Sequence, residues 1–225
     1  MIDTLYIEQA IATHPRVRKI GSRFPNANQV MCERYGAVFN RKSQNFRLQK
    51  KNPSLILAHK FDNHVLTTPE GYGIGGRNNY YFSHMLNCIY DCRYCFLQGM
   101  YRSAHYVLFV NYDDFFSAMD AKLVAHDGED VWFFSGYDCD SLALDPLTGF
   151  AEHLLSYLET RPHAMVELRT KSTQIRALLG QAPLSNVIVA FSLTPEPAAV
   201  ALEHKTPSVA KRINAMTQLA QNGWR

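Results

Sequence analysis

Cys88-Ile89-Tyr90-Asp91-Cys92-Arg93-Tyr94-Cys95 gathers three of the chain's five cysteines into eight residues, at the spacing Cys-x3-Cys-x2-Cys. Thiolates so spaced can wrap one face of a small inorganic cluster from a single loop, and soft sulfur ligands favour iron–sulfur clusters or zinc. A structural zinc ion wants a closed tetrahedron, so it would need a fourth partner such as His84 or Cys139. A four-iron cluster held by three cysteines leaves one iron open to a ligand from outside the chain. The odd cysteine total, in a chain without a secretion signal, argues against a disulfide framework.

Around this loop the chain alternates strand-like and helix-like segments. Tyr80–Ser83 reads as a short aromatic strand leading into the cysteines, and Tyr106–Val110 as a second extended piece. Tyr112–Ala125 reads as a helix with Asp113 and Asp114 in its first turn, favourable against the helix dipole. Val131–Phe134, Ala164–Leu168 and Val187–Leu193 are strand-like, separated by helical Leu147–Glu159 and Ser172–Leu179. A last helix is expected with Thr206 as its cap and Pro207 in its first turn, ended by Gly223. Such alternation implies a parallel sheet with helical crossovers, either a barrel or a doubly wound sheet. It stops where a further strand should begin, so the chain is expected to be truncated or completed by something else.

The 225 residues are 47% apolar and 19% charged, with 12 Gly and 10 Pro, which excludes collagenous, low-complexity and wholly disordered chains. No run of eighteen apolar residues exists, so no membrane span is expected, and the N-terminus lacks the order of a signal peptide. A cytoplasmic protein is expected. The net charge of +3 is unevenly spread. Residues 1–60 carry 11 Lys/Arg against 3 Asp/Glu, while the remainder carries 12 against 17. Arg41, Lys42, Arg47, Lys50 and Lys51, interleaved with Phe39 and Phe46, suit a surface that tracks a nucleic-acid backbone. A basic N-terminal module over residues 1–75 is therefore expected, holding a short helix at Leu5–Ala12 and a buried strand at Leu55–Ala58. Residues 69–76, with four glycines, form either a linker or a loop where backbone approaches something closely.

The cysteine motif after the first strand of an alternating chain, with Tyr94 directly before the last cysteine, resembles the signature of radical S-adenosylmethionine enzymes. Further stretches resemble one branch, the spore photoproduct lyase family of DNA-repair enzymes. These are Tyr6-Ile7-Glu8, Leu55-Ile56-Leu57-Ala58, Arg93-Tyr94-Cys95-Phe96-Leu97, Asp145-Pro146-Leu147-Thr148, Thr170-Lys171, Phe191-Ser192 and Thr206-Pro207-Ser208 with Lys211-Arg212-Ile213. The resemblance implies an α/β fold, a partial parallel (β/α) barrel over residues 76–225 that is incomplete at its C-terminus.

It also implies a 4Fe–4S cluster on Cys88, Cys92 and Cys95, with S-adenosylmethionine chelating the open iron. Gly136 and Asp138 would hold the amino end of that cofactor, in the turn after Val131–Phe134. Ser141, Lys171 and Ser192 are further cofactor-binding candidates, and Tyr94 and Cys139 are the catalytic ones. The implied reaction reverses a thymine–thymine adduct in ultraviolet-damaged DNA through a 5′-deoxyadenosyl radical, with a cysteine returning a hydrogen atom. An electron donor such as a flavodoxin or ferredoxin is implied, and no membrane. Two departures fall on the substrate side. Phe96 stands where the repair enzymes usually have a tyrosine, and Tyr137 rather than Cys139 falls in the donor's column. Two alternatives remain: the same chemistry on another nucleic-acid or small-molecule substrate, or a zinc-binding nucleic-acid module without catalysis.

Overall fold

The structure is a computed structural model and describes residues 2–225. Its strands in chain order are β1 (Thr4–Glu8), β2 (Asn28–Cys32), β3 (Leu55–Ala58), β4 (Leu66–Thr67), β5 (Asn78–Phe82), β6 (Met85–Leu86), β7 (Asp91–Cys92), β8 (Tyr106–Phe109), β9 (Val131–Ser135), β10 (Ala164–Thr170), β11 (Val187–Phe191) and β12 (Glu203–His204). They build two five-stranded sheets, ordered β2-β1-β3-β8-β6 and β11-β10-β9-β5-β4, and one small antiparallel pair, β12-β7. The long pairings are all parallel, as helical crossovers require.

Only Ser83 and His84 separate β5 from β6, so one kinked segment joins the two sheets into an open arc. The bond from the Phe109 amide to the His84 carbonyl (3.0 Å) and that from the Gly136 amide to the Phe82 carbonyl (3.2 Å) seal the joint. One apolar core spans the arc, with Ile56, Phe82, Phe109, Phe133, Phe150 and Val166 in the same buried cluster. The arc has the character of a partial parallel barrel, and no strand links β11 to β2 among the described residues.

The boundary expected near residue 75 does not divide the sheets. Strand β3 pairs along its length with β8, from the other side of that boundary. Leu5–Ala12, expected as a helix, is β1 followed by a single 3-10 turn. Its flanks explain the difference: β1 lies between β2 and β3, whose ladders take its backbone groups. The expected helix at Leu147–Glu159 is broken at Gly149, which adopts φ +61° between Asp145–Thr148 and Phe150–Leu158. In the last helix, Val209–Gln221, the cap is Ser208, whose hydroxyl accepts from the Lys211 amide. Thr206 instead donates to the Glu203 carbonyl (3.0 Å). Helix Tyr112–Ala125 forms as expected. No helix among the described residues is long and apolar enough to cross a membrane.

Candidate functional site

The carboxyl ends of β9, β10 and β11 and the loop after β6 surround a cavity of about 250 Å³. Cys88, Cys92 and Cys95 all line it, as do Gly136, Tyr137, Cys139, Asp140, Thr170, Lys171 and Ser192. Ligands of parallel α/β sheets sit at this end of the strands.

The cysteine loop is shaped by its own backbone. Asn87, with φ +66°, turns the chain out of β6, and its side-chain amide donates to the Ser103 and His105 carbonyls (both 2.7 Å). Cys88 Sγ accepts from the Tyr90 amide (3.4 Å). Cys92 lies in β7, and the helix beginning at Leu97 follows Cys95 within one turn. Burial pushes the Cys88 thiol up, and the Cys92 thiol too, although Lys171 opposes the rise at Cys92. Thiols must give up their protons to hold metal, so loading such a site releases protons.

Among the described residues, no group of three His, Cys, Asp or Glu side chains is placed to hold a single metal ion. His84, one of the two candidate fourth zinc partners, is turned away. Its ring lies flat on Phe150 at 3.8 Å, is 1% exposed, and does not line the cavity. Three thiols facing one cavity suit a multi-iron cluster, whose ligands stand further apart than those of one tetrahedral ion.

The turn after β9 is set by Gly136 at φ +80°. A Cβ there would meet Ser141 Oγ at 2.5 Å, so only glycine fits. Ser141 is fully buried and donates to the Ser135 carbonyl (3.0 Å), bracing this turn rather than facing the cavity. Asp138, expected to meet the cofactor's ammonium group, also points away. Its amide donates to Ser83 Oγ (3.1 Å), its carboxylate lies toward Tyr101 and Lys60, and Oδ1 is buried without a partner. The turn's handedness delivers Asp140 to the cavity instead. Asp140 accepts from the Thr170 hydroxyl (2.6 Å), the Lys171 amide (2.6 Å) and the Leu142 and Ala143 amides (3.1 and 2.9 Å). It ties the β9 turn to the end of β10 and thereby aims Lys171. Burial still pushes its carboxyl above the ordinary value despite these four donors.

Lys171 lies with Nζ 4.0 Å from Glu203 Oε1. The Ser192 amide donates to the Thr170 carbonyl (2.8 Å), which fixes the end of β11 against β10. Tyr94 lines the cavity, but its hydroxyl donates to the Glu203 carboxylate. Cys139 is buried at the edge of a second apolar cluster with Leu5, Ile7, Leu57 and Met85. Burial pushes its thiol well above the ordinary range, with Cys88 close by.

The opposite wall is aromatic. Tyr137 packs on Tyr81 (ring centroids 4.4 Å), Phe96 (5.7 Å) and Tyr72 (5.9 Å). Tyr72 comes from the glycine-rich stretch over residues 69–76, a loop between β4 and β5 that brings this ring to the cavity. The basic run falls at the rim. Helix Phe46–Lys51 places Phe46 and Lys50 on the cavity, and Lys50 pairs with Asp91 and Gln98 of the cysteine segment. Arg41, Lys42, Arg47 and Lys51 remain exposed.

Sequence reasoning overlooked Asp140 and Glu203. Asp140 offered a local signal, a carboxylate two residues beyond the one chosen, with the same access to the turn. Glu203 offered none, because the partner that ties it to the cysteine loop, Tyr94, lies 109 residues away in the chain.

Comparison with known proteins bears on this geometry. The family model described as spore photoproduct lyase matches residues 77–225. Among solved structures, a mutant spore photoproduct lyase with bound AdoMet and dinucleoside spore photoproduct superposes with a TM-score of 0.84 at 18% identity. A spore photoproduct lyase complexed with dinucleoside spore photoproduct gives 0.83 at 18%. A tyrosine-to-phenylalanine mutant of spore photoproduct lyase gives 0.87 at 17%. Each comparison covers 100% of this chain and 66% of the other, so the chain spans about 66% of the length of these structures. At such identity the likeness establishes the fold. No curated protein sequence matches the chain. The family match covers most of the sequence and includes all three clustered cysteines, Gly136, Lys171 and Ser192: the chain belongs to the spore photoproduct lyase family.

Proposed function

We propose that this chain carries a 4Fe–4S cluster on Cys88, Cys92 and Cys95, binds S-adenosylmethionine beside it, and acts as a lyase on the thymine–thymine adduct of ultraviolet-damaged DNA. The observation that carries this reading is the convergence of three cysteines, Gly136, Lys171 and Ser192 on one cavity in a chain of this family. Relatives of the same fold have been solved with AdoMet and with dinucleoside spore photoproduct.

When bound, the cluster and cofactor together supply a 5′-deoxyadenosyl radical. The chain's own residues have four tasks. The three thiolates hold the cluster by one face. Lys171, aimed by Asp140, offers an ammonium to a carboxylate, while Gly136 and Ser192 offer close backbone approach and a hydroxyl. The wall of Tyr72, Phe96 and Tyr137 gives a flipped-out pyrimidine a stacking surface. Cys139 Sγ holds a hydrogen atom within the lining of the cavity, where burial keeps the thiol protonated. The exposed cations beside Phe46 track the DNA backbone at the rim. The one-electron reductant is a flavodoxin- or ferredoxin-type protein, and the site of action is the cytoplasm.

The test is anaerobic reconstitution with iron and sulfide, reduction, and addition of S-adenosylmethionine with dinucleoside spore photoproduct. Formation of 5′-deoxyadenosine together with thymidine supports the reading. Cofactor cleavage without thymidine would move the substrate elsewhere. A chain that takes up one zinc ion and no cluster would end the radical reading altogether. Cys139→Ala is expected to leave cofactor cleavage intact and to divert the product.

A further inference from the structure

The cysteine loop is held from outside by a strap built from residues 194–212. Strand β12 pairs antiparallel with β7, setting Glu203 opposite Cys92 and His204 opposite Asp91. The Arg93 amide extends the ladder to the Leu202 carbonyl (2.8 Å). Behind the strap lies a buried charge pair, with Glu203 and Arg212 side chains 0% and 1% exposed. Arg212 pairs with one carboxylate oxygen of Glu203 and also donates to the Ser192 and Pro207 carbonyls (both 2.9 Å). The other oxygen accepts from the Tyr94 hydroxyl and from Thr194 Oγ1 (2.8 Å), and Lys171 Nζ lies 4.0 Å from it.

We infer that Glu203 is a positioning residue that locks the cysteine loop, through Tyr94 and the β12–β7 ladder, to the strand ends bearing Ser192 and Lys171. This inference rests on the proposed function for what the lock serves, but the lock itself is a property of the chain. The placement argues for more than general stability. A buried ion pair gains little over an apolar pair of similar volume, so general stability does not by itself account for it. Here Glu203 joins Tyr94 of the cysteine loop to Lys171 at the end of β10 and, through Arg212, to the Ser192 carbonyl, while Thr194 and Arg212 come from the strap itself. The arrangement also gives Tyr94 an anchoring role, since its hydroxyl is committed to Glu203.

Two variants test the lock. Tyr94→Phe removes the hydroxyl that ties the loop to Glu203 and Thr194, with no buried charge left alone. Glu203→Gln combined with Arg212→Met removes both charges at similar volume and guards against the misfolding that a lone buried Arg212 would cause. In the protein without cluster, amide exchange over residues 91–95 should rise about tenfold in each variant, with residues 106–109 unchanged. After reconstitution, iron per chain should hold while the dissociation constant for S-adenosylmethionine rises about tenfold, the split expected when geometry rather than ligation is lost. Unchanged loop exchange in both variants would overturn the inference, as would loosening of residues 106–109 to the same extent. If the unaltered protein reconstitutes but binds no S-adenosylmethionine, the functional reading fails, and loop exchange alone then decides the lock.

Discussion

The two walls of the cavity are built by different physics. The cysteine loop and the strand ends beside it form a wall fixed by charge and hydrogen bonds: Glu203 between Arg212, Tyr94 and Thr194, and Asp140 gathering four donors from the turn after β9 and the end of β10. The aromatic wall rests mainly on ring contacts, Tyr137 against Tyr72, Tyr81 and Phe96, with the Arg169 guanidinium over the Tyr72 ring at 5.3 Å. A hydrogen-bonded carboxylate is satisfied in one geometry and costly in any other. Stacked rings lose little when one is exchanged for another of similar shape. The two departures from the family's pattern, Phe96 and Tyr137, both lie on the aromatic wall. The wall that carries the three cysteines is the brittle one, and the aromatic wall is the one that tolerates exchange of one ring for another.

The largest effect expected on the first wall is at a ligand. Cys92→Ala should lower 5′-deoxyadenosine formation in reconstituted protein to background, read by chromatography of the quenched reaction. Cleavage surviving at a tenth of the original rate or better would remove Cys92 from the ligand set.

A direct comparison of the walls comes next. Asp140→Ala strands buried donors, and at roughly 1–3 kcal/mol for each such loss it should lower unfolding free energy by about 3 kcal/mol. Tyr72→Phe keeps the ring, and its cost should stay under about 1 kcal/mol. Urea melts of the two variants measure both. Equal costs would erase the distinction between the walls.

How far the sequence discloses this division depends on how far apart the partners lie. Helix Tyr112–Ala125 and strand β9 follow from local periodicity, and the cysteine loop from residue type and spacing. Strand β1 is misread because its strand character comes from Asn28–Cys32 and Leu55–Leu57, well along the chain. That Asp140 rather than Asp138 lines the cavity has a finer reason. Which of two carboxylates in one turn reaches the cavity depends on the left-handed Gly136, not on composition. Glu203 is the extreme case, its meaning set by Tyr94, 109 residues away.

The joint between the two sheets has its own pH signature. Burial against Phe150 pushes the His84 ring from 6.5 to about 3. The unfolded chain takes up this proton near 6.5, while the folded chain refuses it until about 3. Stability from this group is therefore full above 6.5 and falls as the pH drops toward 3. Between pH 7 and 5 the loss should be about 2 kcal/mol, at up to 1.4 kcal/mol per pH unit. His14, His105 and His153 are shifted in the same direction by burial, so His84→Phe should flatten the acid limb without abolishing it. An unaltered acid limb in that variant would show that the ring is more accessible than its stacking implies.

The smallest effect separates neighbouring lysines. Lys50 is committed to Asp91 and Gln98 in the cysteine segment, whereas Lys51, one residue on, is exposed. If the rim tracks a phosphate backbone, Lys51→Ala should weaken binding of irradiated single-stranded DNA uniformly across sequences. It should also reduce the slope of log affinity against log salt by about 1, because one fewer counterion is released. Lys50→Ala should change the slope less and disturb the cysteine loop more, since its charge is already matched by Asp91. Equal slopes for the two variants would mean that Lys50 leaves Asp91 when DNA binds. The rim and the brittle wall would then be one coupled element.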